Sequence, residues 1–178
     1  STETVSTIGE QRRTNYALAP MVVEDFVDVV TEGQNVAPEY FPFAANRNRE
    51  ARPLHDDDAP IKELTAPEAV ALAEQGAVIL DSRDDQSFAS GYIRGSVNVG
   101  LSGRFAEYAG EVMKPGTEIV IVSDAGFERE ARTRLARIGF DNVVGCISNP
   151  ELEMLKNPQL VEKQSRLSVE SLAERMAS

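Results

Sequence analysis

The sequence EIVIVSDAGFER, residues 118–129, joins a short apolar run to a tight loop and the start of a helix. Four consecutive apolar residues, Ile119 to Val122, are typical of a strand that is buried on both faces of a parallel sheet. Gly126 lies in the loop, and a helix is predicted over 130–138. A strand, a tight loop and a helix in this order bring backbone N–H groups to a helix N-terminus, where anions bind.

Strand and helix signals alternate on both sides of this stretch, over 61–150. Before it, a helix is predicted from the cap at Thr65 to Gly76, and a buried strand over 77–80. After it, a last apolar strand is predicted over 143–147. This alternation predicts an α/β domain with a central parallel sheet of about five strands flanked by helices. The loop 123–129 is then expected at the carboxyl edge of the sheet, where such folds place functional groups.

Charge and composition disfavour several classes of protein. The net charge of −11 works against nucleic acids and anionic membrane surfaces. No apolar run approaches the roughly 20 residues that span a bilayer, and the first residues lack the apolar stretch of a signal peptide, so we expect a cytoplasmic protein. The single cysteine, Cys146, and the single histidine, His55, argue against a disulfide framework and a multi-histidine metal centre in this chain.

The flanking zones have a different composition. One amphipathic helix is predicted over 22–30, and residues 36–58, which contain three prolines and several aromatics, are predicted to form an extended arm that packs on a surface. At the other end, LSVESLAE at 167–174 imitates LTAPEAVA at 64–71. The match indicates a second copy of the opening of the domain.

Asp81 and Arg83 lie at the predicted end of a strand, and Gly91 and Gly95 follow in FASGYIRGSVN, residues 88–98. Asp81 and Arg83 can pair with each other or bond to neighbouring loops, and the two glycines permit tight turns. This pattern resembles the rhodanese superfamily, whose members carry Asp-x-Arg at a strand end and then Gly-His-Ile-x-Gly before a small residue, an apolar residue and Asn. The resemblance implies a rhodanese-like three-layer fold in which these four residues are scaffold.

Active rhodaneses open the loop after the second apolar strand with a cysteine, whose thiolate accepts sulfur and is stabilised by backbone N–H groups. Counting back from Gly126 puts Ser123 at this position, or Asp124 if the register slips by one, and neither can carry a persulfide. Asp124 and Glu128 also oppose anion binding, with only Arg129 and Arg132 to compensate. The loop is therefore predicted to be vestigial and the domain non-catalytic. It consists of Ser123, Asp124, Ala125, Gly126, Phe127, Glu128 and Arg129.

A second stretch, GEQRRTNYALAPM at 9–21, is similar to the C-terminal tail of metallo-β-lactamase-fold persulfide dioxygenases that are fused to rhodanese domains. The resemblance implies that 1–60 are the tail of an upstream metallo-β-lactamase-fold domain plus a linker, that 61–150 are the rhodanese-like domain, and that 151–178 are a connector and the start of a second rhodanese repeat.

The partners implied by this similarity are the upstream domain and a downstream rhodanese domain. Non-haem iron is expected in the upstream domain, and no cofactor is expected in this chain. The implied role is a positioning or interaction module of a protein that oxidises sulfide or persulfide. If the upstream domain is missing, exposed aromatics in the arm favour self-association into a homo-oligomer.

Two alternatives stay open at the level of sequence. Cys146 could carry a persulfide in an active sulfurtransferase, although a cysteine inside an apolar strand is more typical of a small buried residue. The spacing Ser123-x5-Arg129 resembles the Cys-x5-Arg phosphate loop of dual-specificity phosphatases built on the same fold. With serine first, that loop would bind an anion without hydrolysing a phosphate ester, and the two loop acids count against it.

Overall fold

The computed structural model describes residues 5–33, 37–38, 40–51, 56, 59–164 and 169–176. His55 and much of the predicted arm beyond residue 51 lie outside these ranges, as do Leu167 and Ser168 at the start of the predicted second copy. The chain forms two compact units, Ser1–Ala37 and Pro38–Ser178.

The first unit contains helices α1 (Ile8–Thr14) and α2 (Val23–Thr31), with a 3₁₀ turn at Tyr16–Leu18 between them. The helices of the second unit are α3 (Tyr40–Arg47), α4 (Ala66–Glu74), α5 (Asp85–Ser90), α6 (Phe105–Val112), α7 (Glu128–Arg137), α8 (Pro150–Lys156) and α9 (Val169–Met176), with a 3₁₀ turn at Pro158–Leu160. Its strands are β1 (Val78–Asp81), β2 (Tyr92–Ile93), β3 (Ser96–Asn98), β4 (Ile119–Val122), β5 (Val143–Ile147) and β6 (Val161–Glu162).

The central sheet is parallel and has the strand order β3-β1-β4-β5. The predicted α/β fold, with a parallel sheet flanked by helices, is confirmed, but the sheet has four strands in the described residues where about five were expected. A fifth position beside β5 is reduced to one parallel bridge between Glu63 and Cys146. The extended segment stops there because Thr65 already caps α4.

Side chains of β4 alternate between two apolar clusters, one on each face of the sheet. Ile119 and Ile121 pack with α6 and α7, whereas Val120 and Val122 pack on the face that α4 covers. All four side chains are completely buried. Helices therefore cover both faces, which gives the three layers predicted from the sequence.

The start of α4 is set by local chemistry. Thr65 Oγ1 accepts a hydrogen bond from the Glu68 N–H at 3.4 Å, and the Glu68 carboxylate accepts one from the Thr65 N–H at 2.8 Å. This reciprocal pair satisfies two N–H groups that a helix start leaves without partners. The backbone bond to Thr65 also lowers the pKa of Glu68.

The extended conformation predicted for the arm is wrong at residues 40–47, which form α3. Pro42 was taken as a sign of extended chain, but a proline is tolerated in the first turn of a helix, where its missing N–H removes no bond. The prediction that the aromatics pack on a surface is confirmed. Tyr40 is buried, and its ring is edge-on to Phe140 with centroids 6.4 Å apart. The ring of Phe43 contacts the same phenylalanine at 6.0 Å.

The first part of the predicted connector packs on the domain. Strand β6 pairs antiparallel with β2. From α8, the Glu153 carboxylate accepts a hydrogen bond from the Ala66 N–H at 3.1 Å, and so helps to cap α4. Residues 150–162 are therefore part of the same compact unit as the central sheet.

Candidate functional site

The segment predicted as the loop 123–129 lies at the carboxyl edge of the sheet, as expected, but Glu128 and Arg129 already belong to α7, which begins two residues earlier than predicted. The Ser123 N–H donates to the Ile147 carbonyl at 3.2 Å, which continues the pairing of β4 with β5. On the other side of β4, the Ser82 backbone N–H and hydroxyl both donate to the Val122 carbonyl, at 2.8 and 2.9 Å. These bonds bring the segments after β1 and β4 together at one edge.

The Ser123 side chain is 1% exposed. Among the described residues, its Oγ has no hydrogen-bond partner. Because a serine hydroxyl is a weak nucleophile unless a base activates it, the described surroundings of Ser123 give it no nucleophilic character.

A carboxylate from the loop bonds back to the loop itself. Glu128 Oε2 accepts a hydrogen bond from the Gly126 N–H at 2.8 Å. Gly126 has a φ of +92°, a left-handed conformation that favours glycine, and the Phe127 N–H donates to the Asp124 carbonyl at 3.1 Å to close the turn. The negative charge of the Glu128 carboxylate is therefore held against a backbone N–H of the loop itself.

An open cavity of about 470 Å³ lies beside the loop. Three carboxylates and one guanidinium carry the charges of its lining, which are those of Asp84, Asp124, Glu130 and Arg134. Arg134 donates to the carbonyls of Leu101 and Gly103, and lies 3.4 Å from the Glu130 carboxylate. Because Arg134 is the only cation in this lining and already bonds to these groups, the negative charge of the cavity disfavours an anionic substrate such as thiosulfate.

Arg132 does not compensate the loop acids in the way expected from the sequence. It is buried, and it donates to the carbonyls of Ala59 and Asp56 at 2.7 and 3.1 Å. Arg132 thus holds the segment before α4 against α7. Arg129 is exposed in the first turn of α7.

Cys146 lies in β5, at one side of the central sheet, and is paired with Ile121 of β4, two residues before Ser123. Its side chain is buried, and Sγ is 3.4 Å from Glu63 Oε2. Burial, and then the hydrogen bond and charge of Glu63, raise the pKa of Cys146 to about 12. The thiolate, which is the reactive form, is therefore suppressed at neutral pH.

Asp81 and Arg83 form a buried ion pair, with Arg83 Nη2 2.6 Å from Asp81 Oδ2. The same nitrogen donates to the Gly91 carbonyl at 2.9 Å, and Asn98 donates to the carbonyls of both partners at 2.9 Å. Burial lowers the pKa of Arg83, but the hydrogen bond and charge of Asp81 outweigh it and raise the pKa. The structure brings three of the four motif residues together as scaffold.

The two motif glycines differ in conformation. Gly95 has a φ of +84° in the turn between β2 and β3 and needs the freedom of glycine. Gly91 has a φ of 170°, which is extended backbone that any residue adopts, so its conformation does not require glycine. Tyr92, at the position where the family pattern has histidine, stacks on Phe88 with ring centroids 4.2 Å apart. It contributes packing.

Donor groups in this chain do not fit a histidine-held iron. The chain has one histidine, and within the described ranges no three His, Cys, Asp or Glu side chains converge as metal ligands do. In the same ranges, none of the helices has the length and apolar character needed to span a membrane.

Residues 65–149 match the family model described as "Rhodanese-like domain". A metallo-beta-lactamase structure from Staphylococcus aureus is similar with a TM-score of 0.64 and 22% identity, over 80% of this chain and 40% of that chain. The rhodanese-like domain of the Alr3790 protein from Anabaena has a TM-score of 0.48 and 18% identity, over 60% of this chain and 84% of that one.

A thiosulfate sulfurtransferase from Pseudomonas aeruginosa has a TM-score of 0.43 and 21% identity, over 62% of this chain and 23% of that chain. No curated protein sequence matches this chain. The chain spans well under half the length of the metallo-beta-lactamase. The rhodanese-like domain predicted from the motif is confirmed by the family match.

Proposed function

Since residues 65–149 form a rhodanese-like domain, we propose that this domain is a non-catalytic module that positions neighbouring domains of a protein oxidising sulfide or persulfide. The observation that carries the proposal is the placement of the single cysteine of the chain. Cys146 lies in β5 beside Glu63, and Ser123 occupies the first position of the loop.

Sulfur transfer needs a thiolate that accepts the sulfur atom and donors that stabilise the charge. Ser123 lacks the sulfur, and its hydroxyl is far less acidic than a thiol. Because burial and then Glu63 raise the pKa of Cys146 to about 12, its thiol stays protonated at pH 7. These properties support a domain whose contribution is structural.

The first unit, Ser1–Ala37, supports contact with an upstream domain. Neither α1 nor α2 has a buried residue, and Ile8 and Val23 are 77% and 73% exposed. Apolar helix faces of this kind are typical of surfaces that another domain covers. The similarity to the metallo-beta-lactamase extends over 80% of this chain, well beyond the residues that match the rhodanese-like family. We propose that a metallo-β-lactamase-fold domain covers these faces of α1 and α2, and that this domain would hold the non-haem iron.

The apolar face of α9 supports a downstream rhodanese domain. Val169, Leu172 and Met176 have the spacing of Ala66, Ala69 and Ala73 in α4, which pack on the central sheet. In α9 the three side chains are 80%, 48% and 80% exposed. A helix with the sheet-facing pattern of α4 favours a second sheet that would cover it. We also propose that the protein is cytoplasmic, as expected from the sequence.

The direct test is an assay of sulfur transfer from thiosulfate to cyanide with the purified chain. We expect no acceleration over the reaction without protein, because no group of the loop carries sulfur. An active rhodanese under the same conditions serves as the positive control. Transfer by the wild-type chain at a rate that increases with its concentration would overturn the non-catalytic role.

A further inference from the structure

A groove with an apolar floor lies beside α8. Its volume is about 560 Å³, and Gly91, Met154, Pro158 and Val161 supply most of the apolar lining. A Cβ atom on Gly91 would lie 3.5 Å from Met154 Sδ and 3.7 Å from Val161 Cγ1, so the glycine keeps the groove open between these two side chains. An exposed apolar surface of this kind is typical of a site of protein association.

Leu155 lines the same groove, and its side chain is 79% exposed. The two residues before it are directed toward the domain, because Glu153 is buried and Met154 packs against the apolar cluster under α4. Each residue of a helix is rotated by about 100° from the one before it, so the next side chain points into solvent. Leu152, one turn earlier, is also 46% exposed. Covering these leucines with a second apolar surface would be favourable.

The lining of the groove also contains one acidic and one basic side chain, Glu151 and Lys163. Glu151 lies one helical turn before Leu155, and its side chain is 63% exposed, although one of its oxygens is 3.4 Å from Arg83 Nη1. Lys163 directly follows β6 and is exposed. Such a patch is complementary to itself, because a two-fold axis between the two residues brings each carboxylate opposite the ammonium group of the other copy.

We infer that this groove is a dimer interface, at which two copies of the chain associate around a two-fold axis. Leu155 of each copy packs on the groove of the other, and Glu151 forms an ion pair with Lys163 of the second copy. The inference goes beyond the proposed function, because it concerns association and holds whether or not the domain transfers sulfur.

The charge of the whole chain limits the strength of this dimer. A net charge of −11 on each copy opposes their approach. At about 0.15 M salt the Debye length is about 8 Å, so distant charges are screened while contacting pairs keep most of their attraction. Stable interfaces bury about 1,200–2,000 Å² in total, and one groove per copy corresponds to the lower end of this range. We therefore expect a dissociation constant of about 10–100 µM.

Sedimentation equilibrium of the full chain measures the association, at about 0.15 M salt and from about 1 to 500 µM protein. The mean mass of the wild type should rise from that of a monomer toward twice that value. Leu155→Gln should raise the dissociation constant at least about tenfold, because each dimer loses two apolar contacts. Since Leu155 is 79% exposed, the fold should be unchanged, and circular dichroism checks this.

The arm supplies a matched control, because its aromatics were expected to drive self-association. Tyr40 and Phe43 pack on Phe140, whereas Phe41 is 46% exposed. Phe41→Gln thus removes an exposed apolar side chain outside the groove. Its dissociation constant should stay within about twofold of the wild-type value.

Exchange of the two charges tests the two-fold geometry. Glu151→Lys and Lys163→Glu each place like charges opposite each other twice in the homodimer, and each should raise the dissociation constant by about threefold or more. An equimolar mixture of the two variants should recover the wild-type affinity, because both pairs in the mixed dimer again have opposite charges. If circular dichroism shows that Glu151→Lys is unfolded, the comparison of Leu155→Gln with Phe41→Gln decides.

A wild-type chain that stays monomeric over the whole concentration range would overturn the inference. So would a Leu155→Gln variant that dimerises like the wild type, or a mixture of the two charge variants that associates no better than each alone. Loss of the dimer in Phe41→Gln would identify the arm as the contact. Loss in Leu172→Gln would mean that α9 of a second copy occupies the groove, and either result would contradict the symmetric contact.

Discussion

Two segments lie at the carboxyl edge of the sheet, one after β1 and one after β4. They differ in the hydrogen bonds that their polar side chains make. In the first, Arg83 bonds to the Asp81 carboxylate and to the Gly91 carbonyl, and Asn98 bonds to the backbone of both partners. In the second, Ser123 Oγ has no described partner and Glu128 bonds to the loop itself. The first segment thus contains contacts that hold the rhodanese-like domain together, whereas the second has Ser123 at its first position and no cysteine.

The largest expected effect is on the first segment. Replacing Arg83 by Met leaves the Asp81 carboxylate buried without its charged partner, and we expect the free energy of unfolding to fall by about 3–5 kcal/mol. Urea denaturation followed by circular dichroism measures this change. A loss below about 1 kcal/mol would show that the pair contributes little to the fold.

A second effect concerns the packing of α3 on the domain. Gly110 lies in α6, and a Cβ atom at this position would be 2.5 Å from the Tyr40 ring. At a solvent-exposed position of a helix, replacing Gly by Ala stabilises the protein. At Gly110 we expect the clash to lower the free energy of unfolding by about 1–3 kcal/mol. In the Tyr40→Ala background the same substitution should become neutral or stabilising. An equal loss in both backgrounds would contradict the tight contact between α3 and α6.

A smaller effect compares the two serines that follow β1 and β4. Ser82→Ala removes the hydroxyl bond to the Val122 carbonyl, and we expect it to cost about 1 kcal/mol. Ser123→Ala removes a buried hydroxyl with no described partner, and should be neutral or stabilising by up to about 1 kcal/mol. Urea midpoints for both variants give the comparison. The reverse order would mean that the hydroxyl of Ser123 has a partner in solution.

Features set by neighbouring residues could be predicted from the sequence. The cap at Thr65 and the strand at 143–147 depend on local residue types, and both appear where predicted. The loop at 123–129 could also be predicted, because it comes directly after an apolar strand. The pairing of Asp81 with Arg83, which the sequence allowed, is also local, because the two residues lie only two positions apart.

Features set by distant partners could not be predicted. Arg132 was assigned to the loop, but it bonds to backbone carbonyls more than 70 positions earlier. The helix over 40–47 is stabilised by the contacts of its aromatics with Phe140, which composition does not reveal. The bond from the Gly126 N–H to Glu128 depends on a side-chain conformation, which a pattern of charges does not specify.

The proposed non-catalytic role requires that the rhodanese-like domain of this chain carries no sulfur. Intact-mass spectrometry tests it after the folded chain is incubated with thiosulfate or a small persulfide, with Cys146→Ala treated in parallel. We predict no sulfur adduct on either protein, because Ser123 cannot hold sulfur and burial beside Glu63 raises the pKa of Cys146 to about 12. A sulfur adduct on the wild type that is absent from Cys146→Ala would make Cys146 a sulfur carrier and contradict the account.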